Sequence, residues 1–515
     1  MDLYSYRAYP IYAIILWHSI WISGCGIYLD QFSSINVEQI IDAQSSSTEI
    51  SAFVGEQSSL YLQVKNRSPS QVRELSLELD SSFFQVNDSA SDCFSLSSLQ
   101  PNEICEFIIN FQSNRIGTYE EIAQLKLKNS NGLPSSFSVS LKAIAGLNWR
   151  AVGSEFWEDI QNEINHQAGQ GSSGAATVSY VGPDFSSSDW LGGVLAPNGK
   201  IYGVPYDATT ILEFDPQNFN NSREITPNIG ALTGSSKYVG GVLATNGKIY
   251  FAPYSEDRFL ELDPENPEDA SKVGPVLNGS GCCQCHGTAL APNGKIYCVP
   301  EDNAYVLEFN PEDPNSSRQI TDIDFSSDSS WEGLRLAPNG KLYAVPDDRS
   351  TILEIDARTD TVTLTEISTS PPLPGSTAKW EGASLLPNGQ IVAFPENAGS
   401  GDGLLIDPDN PVSSYTLSWG LSGGDLYSGG TLAANGKVYA NPSNANTVLE
   451  VDPTDISNPV EFGSAFGGGV HLVHAPNGKL YGMPSGSSLK VMEVDPKALG
   501  ELDLQILLHP LLNGY

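Results

Sequence analysis

Residues 194–205 read VLAPNGKIYGVP, and six close copies follow: VLATNGKIYFAP, ALAPNGKIYCVP, RLAPNGKLYAVP, SLLPNGQIVAFP, TLAANGKVYANP and VHAPNGKLYGMP. Their turn glycines are Gly199, Gly247, Gly294, Gly340, Gly389, Gly436 and Gly478, in steps of 48, 47, 46, 49, 47 and 42 residues. A repeat of this period, with several short strands in each unit, is the pattern of propeller blades. Within one unit, Asn198-Gly199 flanked by apolar runs signals a hairpin between GGVLA and KIYGV. A polar loop then leads to TILEFD, and Asp215-Pro216 turns the chain toward REIT. Four strands per unit and seven units imply a seven-bladed β-propeller over residues 177–515.

The units also constrain one another. Lys follows the turn glycine in six of them, and six carry a Glu equivalent to Glu213; the exception at both places is the unit with Gln390 and Leu405. Residues lost together are expected to touch, and a second hairpin centred between Tyr206 and Asp207 puts Lys200 directly opposite Glu213. Such pairs contribute a few tenths up to roughly 1 kcal/mol each. The ring needs a clasp between the chain ends. Both ATVSYVG near residue 177 and LDLQILL near residue 505 could supply the outer strand.

Ahead of the repeats, residues 49–146 alternate with period two, as in Leu60, Leu62, Val64; Phe107, Ile109, Phe111; and Phe137, Val139, Leu141. This is the signature of a two-sheet sandwich, so the chain reads as all-β, an Ig-like β-sandwich followed by the propeller, with residues 147–176 as linker. The stretch CFSLSSLQPNEICEFIINFQSNRIGTYEEIAQLKLKN resembles immunoglobulin-like domains of the ASPM-SPD2-Hydin or choice-of-anchor type. That resemblance implies a spacer or adhesion module and a disulfide between Cys93 and Cys105.

The N-terminus carries an address. After Arg7 comes the apolar stretch IYAIILWHSIWISGC, too short to span a bilayer comfortably but suited to a signal-peptide core. It ends in Ile22-Ser23-Gly24-Cys25, which resembles the bacterial lipobox; the resemblance implies a signal peptide over 1–24, a lipid on Cys25 and a Ser-rich tether over 25–48. The expected location is therefore outside the cytoplasm, anchored in a bacterial cell envelope at the outer membrane or cell surface, where disulfides are permitted. With 26 basic against 61 acidic residues the net charge is −35. Such a chain repels phosphate backbones, so nucleic acid is not an expected partner and the membrane is reached only through the anchor.

Positions that differ between units are free to serve a ligand. Nine residues before the turn glycine stand Trp190, Tyr238, Cys285, Trp331, Trp380 and Tyr427; one step on stand Leu191, Val239, His286, Glu332, Glu381 and Ser428. An aromatic collar with a polar segment of His286, Glu332 and Glu381 is expected at one end of the channel, beside the acidic residues Glu301, Asp302, Asp347 and Asp348. The collar aromatics could instead pack between blades. Aromatic faces beside carboxylates suit a glycan, a cationic group or a metal ion. The propeller architecture resembles secreted bacterial propellers of the lyase and lactonase kind at the level of fold.

The third unit is unusual. Cys282, Cys285 and His286 spell C-x-x-C-H, the attachment pattern of c-type haem, for which His471 or His474 could approach across the channel. The same residues could ligate a divalent metal, although strand geometry points successive side chains apart. A local disulfide such as Cys282 with Cys285, or plain thiols, is the simpler expectation, with Cys298 a packed small side chain. No nucleophile elbow, zincin motif or phosphate-cradling glycine loop is present, and the Asp-Pro turns lack EF-hand spacing. The expected function is thus a non-enzymatic binding protein without a cofactor, its channel-mouth face contacting a glycan or protein. The alternative is a metal- or haem-containing enzyme or redox protein built on His286, Glu332 and Glu381.

Overall fold

The computed structural model describes residues 41–45, 49–53, 57–67, 69–79, 81, 83–112, 117–128, 131–146, 157–186, 189–277, 285–299, 305–323, 331–375, 379–396, 401–424, 426–464, 471–486 and 488–512. The signal segment, Cys25, Cys282, Cys283, Glu301 and Asp302 lie outside them. The chain divides into two units, Met1–Leu147 and Asn148–Tyr515.

Among the described residues the first unit holds a four-stranded and a five-stranded sheet. Ile41–Ser45 pairs with Gln57–Asn66 in the four-stranded one, so the sheet begins inside the stretch 25–48 expected as tether. Leu60, Leu62 and Val64 from Gln57–Asn66 and Phe107, Ile109 and Phe111 from Ile104–Gln112 are buried. They share a core with Ala123, Leu125 and Leu127 of the other sheet, as the period-two alternation requires. Cys93, in the short helical turn Asp92–Ser95, is bonded to Cys105, with Cα atoms 5.0 Å apart.

The second unit is a β-propeller-like ring. Among the described residues it holds seven four-stranded antiparallel sheets, and their first strands lie side by side in chain order, the last beside the first. The first sheet shows the common plan, with strands Trp190–Leu195, Ile201–Pro205, Ile211–Phe214 and Arg223–Ile225 in order from the axis outward. The clasp left open by the sequence is the N-terminal strand: Thr177–Val181 is the outer strand of the seventh sheet, paired with Val491–Asp495. The LDLQILL segment does not extend a sheet; Leu504–Leu507 is a short helix. Residues expected as linker are also ordered in part, since Trp157–Gly169 is a helix with buried Ile160 and Ile164, tied to the ring by Gln161 donating to the Pro387 carbonyl at 2.8 Å.

The first hairpin forms between the expected runs, and the second forms in a shifted register. Ala196 N–H donates to Lys200 O and Gly199 N–H to Ala196 O, so the first turn has three residues, with Gly199 at φ +76° in the left-handed region that only glycine enters freely. In the second hairpin Tyr202, not Lys200, stands directly opposite Glu213. Lys200 reaches the carboxylate diagonally, with Nζ 2.8 Å from Oε1, so the ion pair forms in a register shifted from the expected one.

The shift exposes why the motif repeats. Tyr202 OH donates to Glu213 Oε2 at 3.1 Å, Asn198 Nδ2 donates to Tyr202 OH at 3.0 Å, and the same amide reaches the Pro264 carbonyl in the turn of the next sheet at 3.2 Å. Equivalent amides run from Asn246 to Pro311, Asn293 to Thr359, Asn339 to Pro408, Asn435 to Pro496 and Asn477 back to Pro216 of the first sheet. The unit with Gln390 and Leu405 has Val392 in place of the tyrosine, and Asn388 Nδ2 turns to Gln390 instead. Burial would push the Glu213 carboxyl up, but hydrogen bonds from Lys200 and Arg223 outweigh it and hold the group below the ordinary carboxylate range.

Asn339 and Asn388 both accept from the backbone two residues on, and only Asn339 also bridges to the next sheet. Asn339→Ala should therefore destabilise the propeller by about 1–3 kcal/mol more than Asn388→Ala, because it also removes the amide's bonds to the buried Tyr343 hydroxyl and to the Pro408 carbonyl of the next sheet. Paired denaturant melts of the two variants check this difference.

Candidate functional site

The collar residues all come from the starts of first strands, and the structure buries them. Trp190, Tyr238, Trp331, Trp380 and Tyr427 have no exposed surface. Each indole donates to a carbonyl at or just before the third strand of its own sheet: Trp190 to Thr210, Trp331 to Thr351, and Trp380 to Asp402, at 2.7–2.9 Å. Tyr427 OH donates to Glu461 at 3.0 Å. The expectation of exposed aromatic faces is corrected: these rings fill the space within and between sheets, where burial of such areas stabilises most.

The next position along each first strand borders the channel mouth. Here His286, Glu332 and Glu381, from three successive sheets, offer ligand atoms that all lie within 4.8 Å of one another. His286 Nδ1 is 2.9 Å from Glu332 Oε1. The Glu332 side chain is 6% exposed, and its buried Oε2 has no hydrogen-bond partner among the described residues. The buried Ser428 hydroxyl, at the same position in the sixth sheet, also has none among them. Half-buried Leu191 and buried Val239 complete the arc with apolar side chains.

One residue deeper, six units carry glycine: Gly192, Gly240, Gly287, Gly333, Gly382 and Gly429. The strands approach so closely that a Cβ on Gly382 would stand 2.7 Å from Gly429 Cα. The seventh unit has His471 here, and its ring lies over the glycines; a Cβ on Gly429 would meet His471 Nδ1 at 2.8 Å. The six-to-one pattern of glycine against histidine at this position marks His471 in the sequence more sharply than its place as a possible haem ligand does. Burial, with Arg335 and His286 nearby, holds the His471 imidazole well below its ordinary 6.5.

Beneath His471 a small axial cavity is lined by Arg335, Ser384, Thr431 and His474 on its polar side and by Leu195, Leu385, Leu432 and the C-terminal Leu507, Leu511 and Leu512 on its apolar side. Arg335 Nε donates to the Ala383 carbonyl at 2.6 Å. His474 Nδ1 is 3.0 Å from Leu432 O; since a carbonyl only accepts, Nδ1 carries the proton and Nε2 is the bare nitrogen. The rim is also charged. Asp347 is buried, and Lys379 donates its ammonium to the Asp347 carbonyl. Burial lowers the Lys379 pKa against the opposing pull of Asp347 and Asp348.

Cys285 is bonded to Cys298, with Cα atoms 5.5 Å apart. This corrects two expectations, a Cys282–Cys285 bond and a free, packed Cys298. It also removes Cys285 as a thiolate ligand or thioether attachment point, so the C-x-x-C-H segment lacks one of the two thiols that a c-type haem needs. Of the Cys282, Cys285 and His286 set, only His286 can ligate a metal among the described residues.

The fold is β-propeller-like, and His286, Glu332 and Glu381 from three successive sheets come together near the starts of its first strands. No protein-family model matches the chain, and no curated protein resembles it in sequence. Solved structures do resemble it in fold. A streptogramin B lyase aligns with TM-score 0.50 at 14% identity, over 62% of this chain and 97% of its own. Virginiamycin B lyase from Staphylococcus aureus aligns with TM-score 0.51 at 12% identity, over 62% and 99%. A catalytically inactive form of that enzyme with quinupristin aligns with TM-score 0.50 at 11% identity, over 62% and 99%. At these identities the likeness is one of fold.

His474 makes the ring acid-sensitive. An unfolded histidine takes up its proton near 6.5, whereas burial lowers folded His474 to about 4. The neutral form is thus favoured by folding; its contribution is complete above 6.5 and is lost as the pH falls toward 4, by roughly 3 kcal/mol in total. Stability measured from pH 7 to 4 should fall less steeply in His474→Asn, whose amide can still donate to Leu432 O.

Proposed function

We propose that the chain is an exported binding protein, lipid-anchored in a bacterial cell envelope through Cys25, in which residues 25–40 form a tether, an immunoglobulin-like sandwich is the spacer and a seven-bladed propeller is the working head. The two disulfides, Cys93–Cys105 and Cys285–Cys298, suit an oxidising compartment outside the cytoplasm. The head takes its ligand at the channel mouth through a divalent cation held by His286, Glu332 and Glu381.

The observation that carries this reading is the convergence of one imidazole and two carboxylates within 4.8 Å, with a buried Glu332 oxygen left without a hydrogen-bond partner. A buried carboxylate oxygen is costly unless something satisfies it. A cation about 2.1 Å from each ligand would draw the three atoms to roughly 3.4 Å of one another, a small side-chain movement. One imidazole with two carboxylates suits Mn²⁺ or Zn²⁺ better than Ca²⁺ or Cu⁺. The net charge of −35 concentrates cations around the molecule.

Three protein ligands leave positions on the cation for oxygens of a glycan or of a protein side chain. Leu191 and Val239 on the other arc can pack against the apolar face of a sugar ring or side chain. Calorimetric titration of the native chain with Mn²⁺ and with Zn²⁺ should show one ion per chain, with uptake lost in Glu332→Gln. Capture on a glycan and protein array should then disappear on adding EDTA. Absence of saturable uptake of either ion, or uptake unchanged in Glu332→Gln, overturns the reading.

A further inference from the structure

We infer that Tyr206 and Tyr254 form a stacking subsite beside the cation ligands and that the ligand taken there is a neutral glycan; the inference rests on the cation reading above. The residue after the proline that ends each second strand is Tyr206 in the first unit, Tyr254 in the second, and an acidic residue or serine in the other five. An aromatic at this position is therefore confined to two neighbouring sheets. Unlike the collar aromatics, Tyr206 and Tyr254 are only half-buried, so part of each side chain reaches solvent.

The backbone fixes the two tyrosines relative to each other. Lys237, the residue before the second collar aromatic, is buried and bridges both loops: its N–H donates to Tyr206 O at 2.9 Å, and its O accepts from Tyr254 N–H at 2.8 Å. Tyr206 N–H donates in turn to Asp189 O at 3.1 Å. The ring centroids of Tyr206 and Tyr254 stand 6.2 Å apart, and that of Tyr254 stands 5.8 Å from the His286 ring. Three rings from three successive sheets thus lead to the carboxylates, since His286 Nδ1 is itself 2.9 Å from Glu332 Oε1. Lys379 makes the same backbone bridge between Asp347 and Glu396, which carry carboxylates where the first two sheets carry phenols.

This order divides the site by chemistry. The first and second sheets offer aromatic rings, and the third to fifth offer an imidazole and two carboxylates. A ligand that uses both parts needs an apolar face and, beside it, oxygens that can bind a cation. A pyranose has both within one residue. Its C–H bonds, weakly positive, pack on the negative face of an aromatic ring, and two neighbouring hydroxyls can enter the open positions of the cation. A peptide would have to bring two separate side chains into register to do the same. Charge narrows the class: the net charge of −35, with Asp347 and Glu396 at the equivalent positions, repels a sugar that carries a carboxylate or sulfate. A neutral glycan meets no such barrier.

The test is an array of neutral and sialylated glycans, beside one of proteins, probed with the native chain in Mn²⁺. Neutral glycans should be captured and sialylated ones left. Affinity for a captured glycan should fall about 30-fold in Tyr206→Ala and in Tyr254→Ala, the loss expected of an aromatic anchor. Tyr206→Phe and Tyr254→Phe, which keep the ring face, should bind as the native chain does. Tyr206→Leu and Tyr254→Leu keep apolar volume without the ring; they should show the alanine loss and serve if the alanine proteins do not fold. Capture of no neutral glycan by a chain that takes up Mn²⁺ overturns this inference and leaves the cation reading standing. So does glycan affinity that is unchanged in the folded leucine variants. A native chain that takes up neither Mn²⁺ nor Zn²⁺ overturns the cation reading, and this inference with it.

Discussion

The ring depends on an asparagine amide, present in six of its seven sheets, that bonds inward and outward at once. Asn198, Asn246, Asn293, Asn339, Asn435 and Asn477 each donate to the tyrosine hydroxyl of their own sheet and to a turn carbonyl of the next. Sheets packed face to face bury both surfaces, so hydrophobic contact alone would let neighbours slide. A directed bond to one carbonyl fixes the angle and height of each sheet against the next. The tyrosine and glutamate behind it satisfy the rest of the buried polar atoms, which makes the node a connected network instead of an isolated polar group. Asn477, bonding Pro216 of the first sheet, applies the same constraint where the chain closes on itself.

This dependence explains what could be read in the sequence. Gly199, Asn198, Lys200, Tyr202, Glu213 and Pro216 recur because they belong to one node and one turn, so period, strand count and the paired loss of Lys and Glu were legible without coordinates. The register was not. Lys200 touches Glu213, but so does Tyr202, and only Tyr202 stands opposite; covariation reports contact and is silent about which contact lies on the ladder. The clasp was equally ambiguous, because ATVSYVG and LDLQILL have similar apolar content, and the choice is made by the Val491–Asp495 edge that Thr177–Val181 pairs with.

At the mouth, composition was legible and environment was not. His286, Glu332 and Glu381 stood out as departures at one repeated position, and the structure brings them together. Trp190, Trp331 and Trp380 stood out just as strongly at the preceding position, yet they belong to the packing. Adjacent residues on a strand point to opposite faces, so a one-residue step separates filling from lining. Cys285 and Cys298 could have been paired by the same reasoning, since each replaces one partner of the aromatic-over-small contact. The motif match to C-x-x-C-H drew attention along the chain, whereas the bond runs across the hairpin.

The departures from the repeat are concentrated where the site lies. The third sheet has Cys285 at the collar position, the fourth carries buried Arg335 and Glu332, and the fifth carries Glu381 and lacks its node. Two of these changes cost stability: a buried carboxylate and a missing inter-sheet bond. A repeat protein can carry such costs locally because stability is summed over units and their interfaces. The remaining nodes hold the ring while the third to fifth sheets are released from the consensus. Glycines follow Glu332 and Glu381 along their strands, and a Cβ on Gly333 or Gly382 would stand within 2.7 Å of the next sheet's backbone, so these strands lie side by side only because no side chain intervenes. The units that depart most from the repeat are therefore the ones that bring His286, Glu332 and Glu381 together.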